Sequence, residues 1–139
     1  AGGGEQLRIL GATHFTKITP QETGGAFTAL EIAIPPECGP PMHSHESVSE
    51  FFYIVEGTLT LTDPDGDRQA GPGDFCFLRA GGSHAFRNNS DKLVRALVMV
   101  TPGVQAHDFF TQIDEALEGA IDVPVVVDIA ARNGVLIAA

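Results

Sequence analysis

His43 and His45 are separated by a single residue. In an extended chain that spacing turns both imidazoles to the same side, because strand side chains alternate with a period of two. Imidazole is the commonest protein ligand for transition metals, so the pair offers half of a coordination sphere. Glu50 follows His45 with four residues between them and leads the apolar run Phe51-Phe52-Tyr53-Ile54-Val55, which ends at Gly57. A second stretch, Gly73 to Asn88, adds His84 as a third imidazole. Taken singly, each of these residues reads as an ordinary polar residue in a loop. Together, three imidazoles and one carboxylate suit one divalent transition metal per chain, whether Fe, Mn, Co, Ni, Zn or Cu.

The elements that must position these groups are short and extended. Residues 7 to 19 hold one apolar pattern that reads as a first strand; His14, alone there, reads as a surface or packing residue. After the turn Thr23-Gly24-Gly25, Phe27 to Pro35 reads as a strand with Leu30, Ile32 and Ile34 on one face and Glu31 on the other. The run Pro35-Pro36-Glu37-Cys38-Gly39-Pro40-Pro41 blocks helix and ladder alike, and so delivers an extended chain into His43. From Glu50 onward, Glu50, Phe52 and Ile54 share one face, while Phe51, Tyr53 and Val55 share the other. Glu56-Gly57 reads as a tight turn or bulge before a strand at Thr58 to Thr62. Asp63-Pro64-Asp65-Gly66-Asp67 reads as a hairpin tip; its acidic spacing resembles a calcium loop, but Arg68 stands where such a loop needs glycine. Phe75 to Leu78 is a short strand, and Arg79 to Ser83 a loop that carries His84 into the next one. Asn88-Asn89-Ser90 fits the glycosylation rule but reads as turn chemistry. Leu93 to Val100 is a long β-type run. Beyond it the period becomes helical, over Ala106 to Gly119 and again over Pro124 to Ala131. Many short strands followed by helices predict an all-β barrel or sandwich capped by helices.

The composition agrees with that picture and narrows the partners. The chain of 139 residues is 43% hydrophobic and 19% charged, with Gly 16 and Pro 9, which fits one domain rich in turns. A net charge of −10 repels nucleic-acid phosphates and anionic membrane surfaces. Cys38 and Cys76 lack metal-site spacing, and Cys76 reads as a small buried side chain. No stretch reaches the roughly 18 apolar residues of a membrane-spanning helix, and no apolar secretory leader is evident. The expectation is a cytoplasmic protein.

At these residues the sequence resembles the cupin superfamily. Its first motif is G(x)5HxH(x)3,4E(x)6G, matched here by His43, His45, Glu50 and Gly57, with Glu37 in place of the leading glycine. Its second is G(x)5PxG(x)2H(x)3N, matched by Gly73, Gly81, His84 and Asn88, with Arg79 in place of proline. The resemblance implies a cupin double-stranded β-helix of jelly-roll type, with a barrel over about residues 7–103 and a helical tail over about 104–139. It implies one metal at the barrel mouth, held by His43, His45, Glu50 and His84. Phe52, Ile54, Phe86 and Met99 are the candidate walls of a substrate pocket.

Among small cupins the phrases around Pro40–His45 and Glu50–Gly57 are similar to the quercetin 2,3-dioxygenase-like group. That resemblance implies an oxygenase of an aromatic or enolisable small molecule that also uses O2, with Glu50 taking a proton from a substrate hydroxyl. A pKa near working pH, set by the metal and an apolar wall, would serve that role. Two alternatives stay open: a non-redox isomerase or polyketide cyclase, and a cupin that binds a small molecule without catalysis. A homodimer is expected from the resemblance and from the open edges of the sheets.

Overall fold

A computed structural model describes residues 5–9, 12–102, 123–132 and 135–137. Within them the chain forms β1 (Glu5–Ile9), β2 (Ala12–Ile18), β3 (Thr28–Ile34), β4 (His43–His45), β5 (Ser49–Glu56), β6 (Leu59–Asp63), β7 (Gly66–Ala70), β8 (Phe75–Leu78), β9 (Ser83–Arg87) and β10 (Val94–Thr101). A helix, α1 (Val123–Arg132), and a last strand, β11 (Val135–Ile137), complete the set. The strands make two antiparallel sheets, ordered β1-β2-β3-β10-β5-β8 and β11-β4-β9-β6-β7. The all-β, jelly-roll-type expectation holds.

Alternation explains why these segments pair as they do. Leu30, Ile32 and Ile34 of β3, Phe52 and Ile54 of β5, and Val94, Ala96, Val98 and Val100 of β10 all bury against one another. Leu59 and Leu61 of β6 and Phe86 of β9 meet them from the second sheet. The rings of Phe52 and Phe86 touch edge to face, 5.1 Å between centroids, and so join the two layers. Each such side chain contributes roughly 1.5–3 kcal/mol when taken out of water. Slipping any of these strands by one residue would turn its apolar set to solvent, which fixes the register.

The turns are set by specific residues. Asp63 pairs with Gly66 across the hairpin tip, where Asp63 Oδ1 accepts from the Asp65 amide at 2.8 Å. The acidic cluster therefore serves the turn, as expected. Asn88 is fully buried at the end of β9. Its amide nitrogen donates to the carbonyls of Ile34 (2.8 Å) and Lys92 (2.6 Å), and its oxygen accepts from the amide and hydroxyl of Ser90. The asparagine of the second motif is thus a structural pin.

Two expectations change. Residues 7 to 19 do not make one strand: β1 and β2 form an antiparallel pair with Ile9 opposite Ala12, and His14 is buried. The three-residue β11 was not anticipated, because so short an apolar run carries no readable period. The second helix lies within one residue of its expected limits, whereas the Ala106–Gly119 helix falls outside the described residues. Among the described residues, no helix is long and apolar enough to cross a membrane.

Gly57 stands at the bend between β5 and β6 with φ +85°, a conformation that side chains other than glycine's rarely adopt. A Cβ there would lie 2.7 Å from the Leu93 carbonyl oxygen. Gly57→Ala is expected to lose about 1–3 kcal/mol of stability in urea unfolding while keeping the native circular dichroism spectrum. An unchanged urea midpoint would show that the bend accommodates a side chain.

Candidate metal centre

The strand with the two histidines is only three residues long, so its neighbours must hold it. On one side His43 pairs with His84 of β9 and Ser44 with Ser83; on the other, Val135, Leu136 and Ile137 of β11 pair with His45, Ser44 and His43. The loop before β9 is clamped from below. The Gly81 amide donates to the His45 carbonyl at 2.7 Å, and the Ala80 amide to the Ser49 hydroxyl at 3.0 Å. With φ +81°, Gly81 supplies the turn that brings the amide round. Glu50 comes from the opposite sheet, flanked in register by Val100 of β10 and Leu78 of β8. Ligand candidates from both sheets therefore face one interior point.

His43, His45 and His84 each offer one ligand nitrogen within 4.8 Å of the others, and all three are buried. Ring centroids lie 4.5 Å apart for His43 and His84, 5.0 Å for His43 and His45, and 5.6 Å for His45 and His84. Glu50 sits beside this triad, with Oε1 3.0 Å from His45 Nε2 and Oε2 4.0 Å from His84 Nε2. The His84 contact is too long for a hydrogen bond, and both Nε2 atoms are buried without a hydrogen-bond partner apart from the close Glu50 contact at His45. Leaving such atoms unsatisfied is costly, on the order of 1–3 kcal/mol each. His43 Nδ1 lies 2.7 Å from the Pro41 carbonyl. A carbonyl only accepts, so Nδ1 carries the proton and Nε2 keeps its lone pair for a metal.

Electrostatics favour the ligating form of His43, His84 and Glu50. Burial, reinforced by the neighbouring imidazoles, lowers the His43 pKa from 6.5 to about 4 against the opposing hydrogen bond to Pro41. Burial also lowers that of His84, with Glu50 acting the other way. For Glu50, burial pushes the pKa up, but the contact with His45 and the positive potential of all three histidines outweigh it. Its carboxyl ends below the usual range. The apolar wall thus does not raise Glu50 toward neutral pH in the metal-free protein; it remains a carboxylate. Imidazole nitrogens beside a carboxylate fit a borderline divalent cation.

The pocket candidates separate into two groups. Phe52 lies two residues from Glu50 on the inner face, and Phe86 two residues from His84; both are buried in the core. Ile54 is one step deeper. Met99 is a correction. Val94, Ala96, Val98 and Val100 turn inward, so Met99 shares the outer face of β10 with Arg95 and Leu97. Nearly every residue of Leu93–Val100 is apolar, which hides the alternation; Arg95 was the single mark of the outer face. Leu78 and Val100, which flank Glu50, were missed as inner neighbours of the site, since their placement depends on cross-strand register.

A family model described as "Cupin domain" matches residues 30–100. Quercetin 2,3-dioxygenase of Bacillus subtilis is 30% identical over 87% of the chain, which spans 35% of that protein. An oxalate-binding protein of Thermotoga maritima is 30% identical over 48% of the chain, which spans 55% of it. The chain thus spans about a third to a half of the length of these relatives. Among solved structures, a sugar phosphate isomerase of Silicibacter pomeroyi superposes with TM-score 0.59 at 27% identity, over 66% of this chain and 59% of that one.

Two outcomes are expected from this geometry. His43→Ala and His84→Ala should each abolish stoichiometric metal binding, by equilibrium dialysis and elemental analysis, yet leave a folded β protein. One metal per chain at unchanged affinity in either variant would overturn the site. In the metal-free protein, an unfolded His43 takes up a proton as pH falls through 6.5, while the folded one refuses it until about 4. Stability is therefore level above that window and drops through it, with His84 and Glu50 acting in the same direction. Thermal melts in chelator should show the drop, and His43→Gln should make it shallower.

Proposed function

The chain belongs to the cupin family, and from that premise we propose that it is a metal-dependent dioxygenase of the quercetin 2,3-dioxygenase-like type. Its substrate is an aromatic or enolisable small molecule, with O2 as the second reactant. The observation that carries this reading is the Glu50 carboxylate set beside three buried imidazoles, two with unpartnered Nε2 atoms. Likeness to the Bacillus subtilis dioxygenase over most of the chain supports it.

In this reading His43, His45 and His84 hold one divalent transition metal, with Glu50 as a fourth ligand at rest. Such a metal supplies Lewis acidity to a substrate oxygen and, when redox-active, an electronic link between substrate and O2. Glu50 then has a second task. Loosened from its resting contact, a carboxylate oxygen accepts the proton of a substrate hydroxyl and holds it during turnover. Phe52 and Phe86, packed on each other two residues from Glu50 and His84, exclude water and present an apolar wall to a planar substrate.

A second reading draws on the sugar phosphate isomerase likeness. Without O2, Glu50 would instead take a proton from a carbon beside a substrate carbonyl, and return of that proton to the neighbouring carbon of the resulting enolate would give an isomer. Likeness to an oxalate-binding protein supports a third, binding without turnover. One experiment separates them. After reconstitution with Fe, Mn, Co, Ni, Zn and Cu in turn, oxygen uptake is recorded on a panel of flavonols and other enolisable compounds. Uptake with at least one metal, lost in Glu50→Gln while metal stoichiometry is retained, is the expected result. Turnover under nitrogen with no uptake would transfer the assignment to the isomerase or cyclase, and metal loading with neither would leave a binding protein.

A further inference from the structure

The second motif departs from its pattern at Arg79, which stands where proline is expected. Arg79 leaves β8 directly after Leu78, the register partner of Glu50. It opens the turn Arg79-Ala80-Gly81-Gly82, closed by the Gly82 amide donating to the Arg79 carbonyl at 3.3 Å. The Gly81 bond to His45 and the Ala80 bond to Ser49 tie this turn to both sheets. A cation at position 79 is therefore mounted on a loop clamped to the metal centre from two sides.

The arginine side chain runs toward the triad. A Cβ on Gly82 would stand 3.7 Å from Arg79 Cγ and 4.0 Å from its Nε, so the arginine stem occupies the space beside this glycine. Gly82 precedes His84 by two residues at the entrance to β9, and residues two apart in an extended chain share a face. Arg79 thus crosses the face that carries His84, roughly 7 Å from it along the strand.

Its charge is not used elsewhere. Arg87 pairs with Glu37, Arg95 with Glu31 and Glu56, and Arg132 with Asp128. Among the described residues, neither the exposed Arg79 nor the exposed Glu46 beside His45 forms an ion pair. A guanidinium presents a planar fork of donors that matches carboxylate and phosphate oxygens. The local charge balance suits such an anion. A divalent cation against the single Glu50 carboxylate leaves the centre positive, and Arg79 adds to it. The remote carboxylates behind the net charge of −10 are screened beyond about 8–10 Å.

With a metal held by the triad as proposed above, we propose that Arg79 is a specificity-determining residue that binds a carboxylate or phosphate carried by the enolisable substrate. The hydroxyl or carbonyl oxygens of that substrate meet the metal. Its anionic group lies about one ring away, the distance that two strand residues span. A neutral flavonol would leave the guanidinium without a counterpart, so the preferred substrate is an enolisable acid or phosphate ester.

The test uses the full chain loaded with Co2+, whose visible spectrum reports ligands arriving at the metal. Three probes share one hydroxypyranone head: kojic acid with a neutral hydroxymethyl arm, comenate with a carboxylate, and the phosphate ester of the kojic acid arm. Spectral titration and calorimetry give dissociation constants for the wild type, Arg79→Gln, Arg79→Lys and Arg79→Pro, each checked for native circular dichroism and cobalt stoichiometry. The proline variant restores the residue of the motif, so it reports even if another substitution disturbs the turn. At least one anionic probe is expected to bind the wild type about tenfold tighter than kojic acid, the lower end of what a hydrogen bond to a charged group contributes. Arg79→Gln and Arg79→Pro should remove that preference and Arg79→Lys keep part of it; the anion that gains more names the group. Equal affinities in the wild type, or a preference that survives Arg79→Gln, would overturn the role of Arg79 and leave the metal centre standing. Cobalt loading with no spectral response to any probe would overturn the substrate reading of the site and this role together.

Discussion

The interaction on which the rest of the structure depends is the pairing of β4 with β9, which sets His43 directly opposite His84. A three-residue strand has little stability of its own. Held between β9 and β11, and fed by a proline-rich segment that cannot fold otherwise, it becomes a rigid carrier of two imidazoles. Register then does the rest. A shift of one residue would turn both His43 and His45 away from the interior and place Ser44 there instead. The second sheet must answer with a carboxylate at the same depth, which it does through Glu50 between Val100 and Leu78.

Burial has opposite consequences for the polar groups inside this fold. Asn88 is buried and fully satisfied by four hydrogen bonds, so it stabilises the turn after β9 and has no capacity left for a ligand. His45 and His84 are buried with an unpartnered nitrogen each. For His84, as for His43, burial also lowers the pKa and so favours the neutral state that binds a cation. Glu50 beside them stays ionised because the imidazoles outweigh the loss of water. Asn88 and His84 belong to the same motif, yet one serves the frame and the other the chemistry. Their hydrogen-bond partners tell them apart.

Much of this was legible in the residues, and the failures have physical causes. Strands with a polar and an apolar face, such as Glu50–Val55, could be assigned to their faces from alternation alone, and His43, His45, Glu50 and His84 do meet. Met99 was misplaced because β10 is apolar on both faces, so parity gave no signal except at Arg95. The role of β11 was hidden for a different reason. Its three residues pair with a strand some ninety positions earlier in the chain, and nothing local records a long-range partner. Leu78 and Val100 belong with it, since cross-strand register is a property of the assembled sheets.

β5 links the interior to the surface. Its inner face carries Glu50, Phe52 and Ile54, and its outer face Phe51, Tyr53 and Val55. Because the two sets alternate along one backbone, the strand cannot rotate to improve one without displacing the other. The hydrogen-bonded neighbours β10 and β8 are likewise shared, for each contributes an inner residue next to Glu50 and outer residues to the aromatic face. The position of Glu50 beside His45 and His84 is thus coupled through one backbone to the packing on the outer side of the sheet.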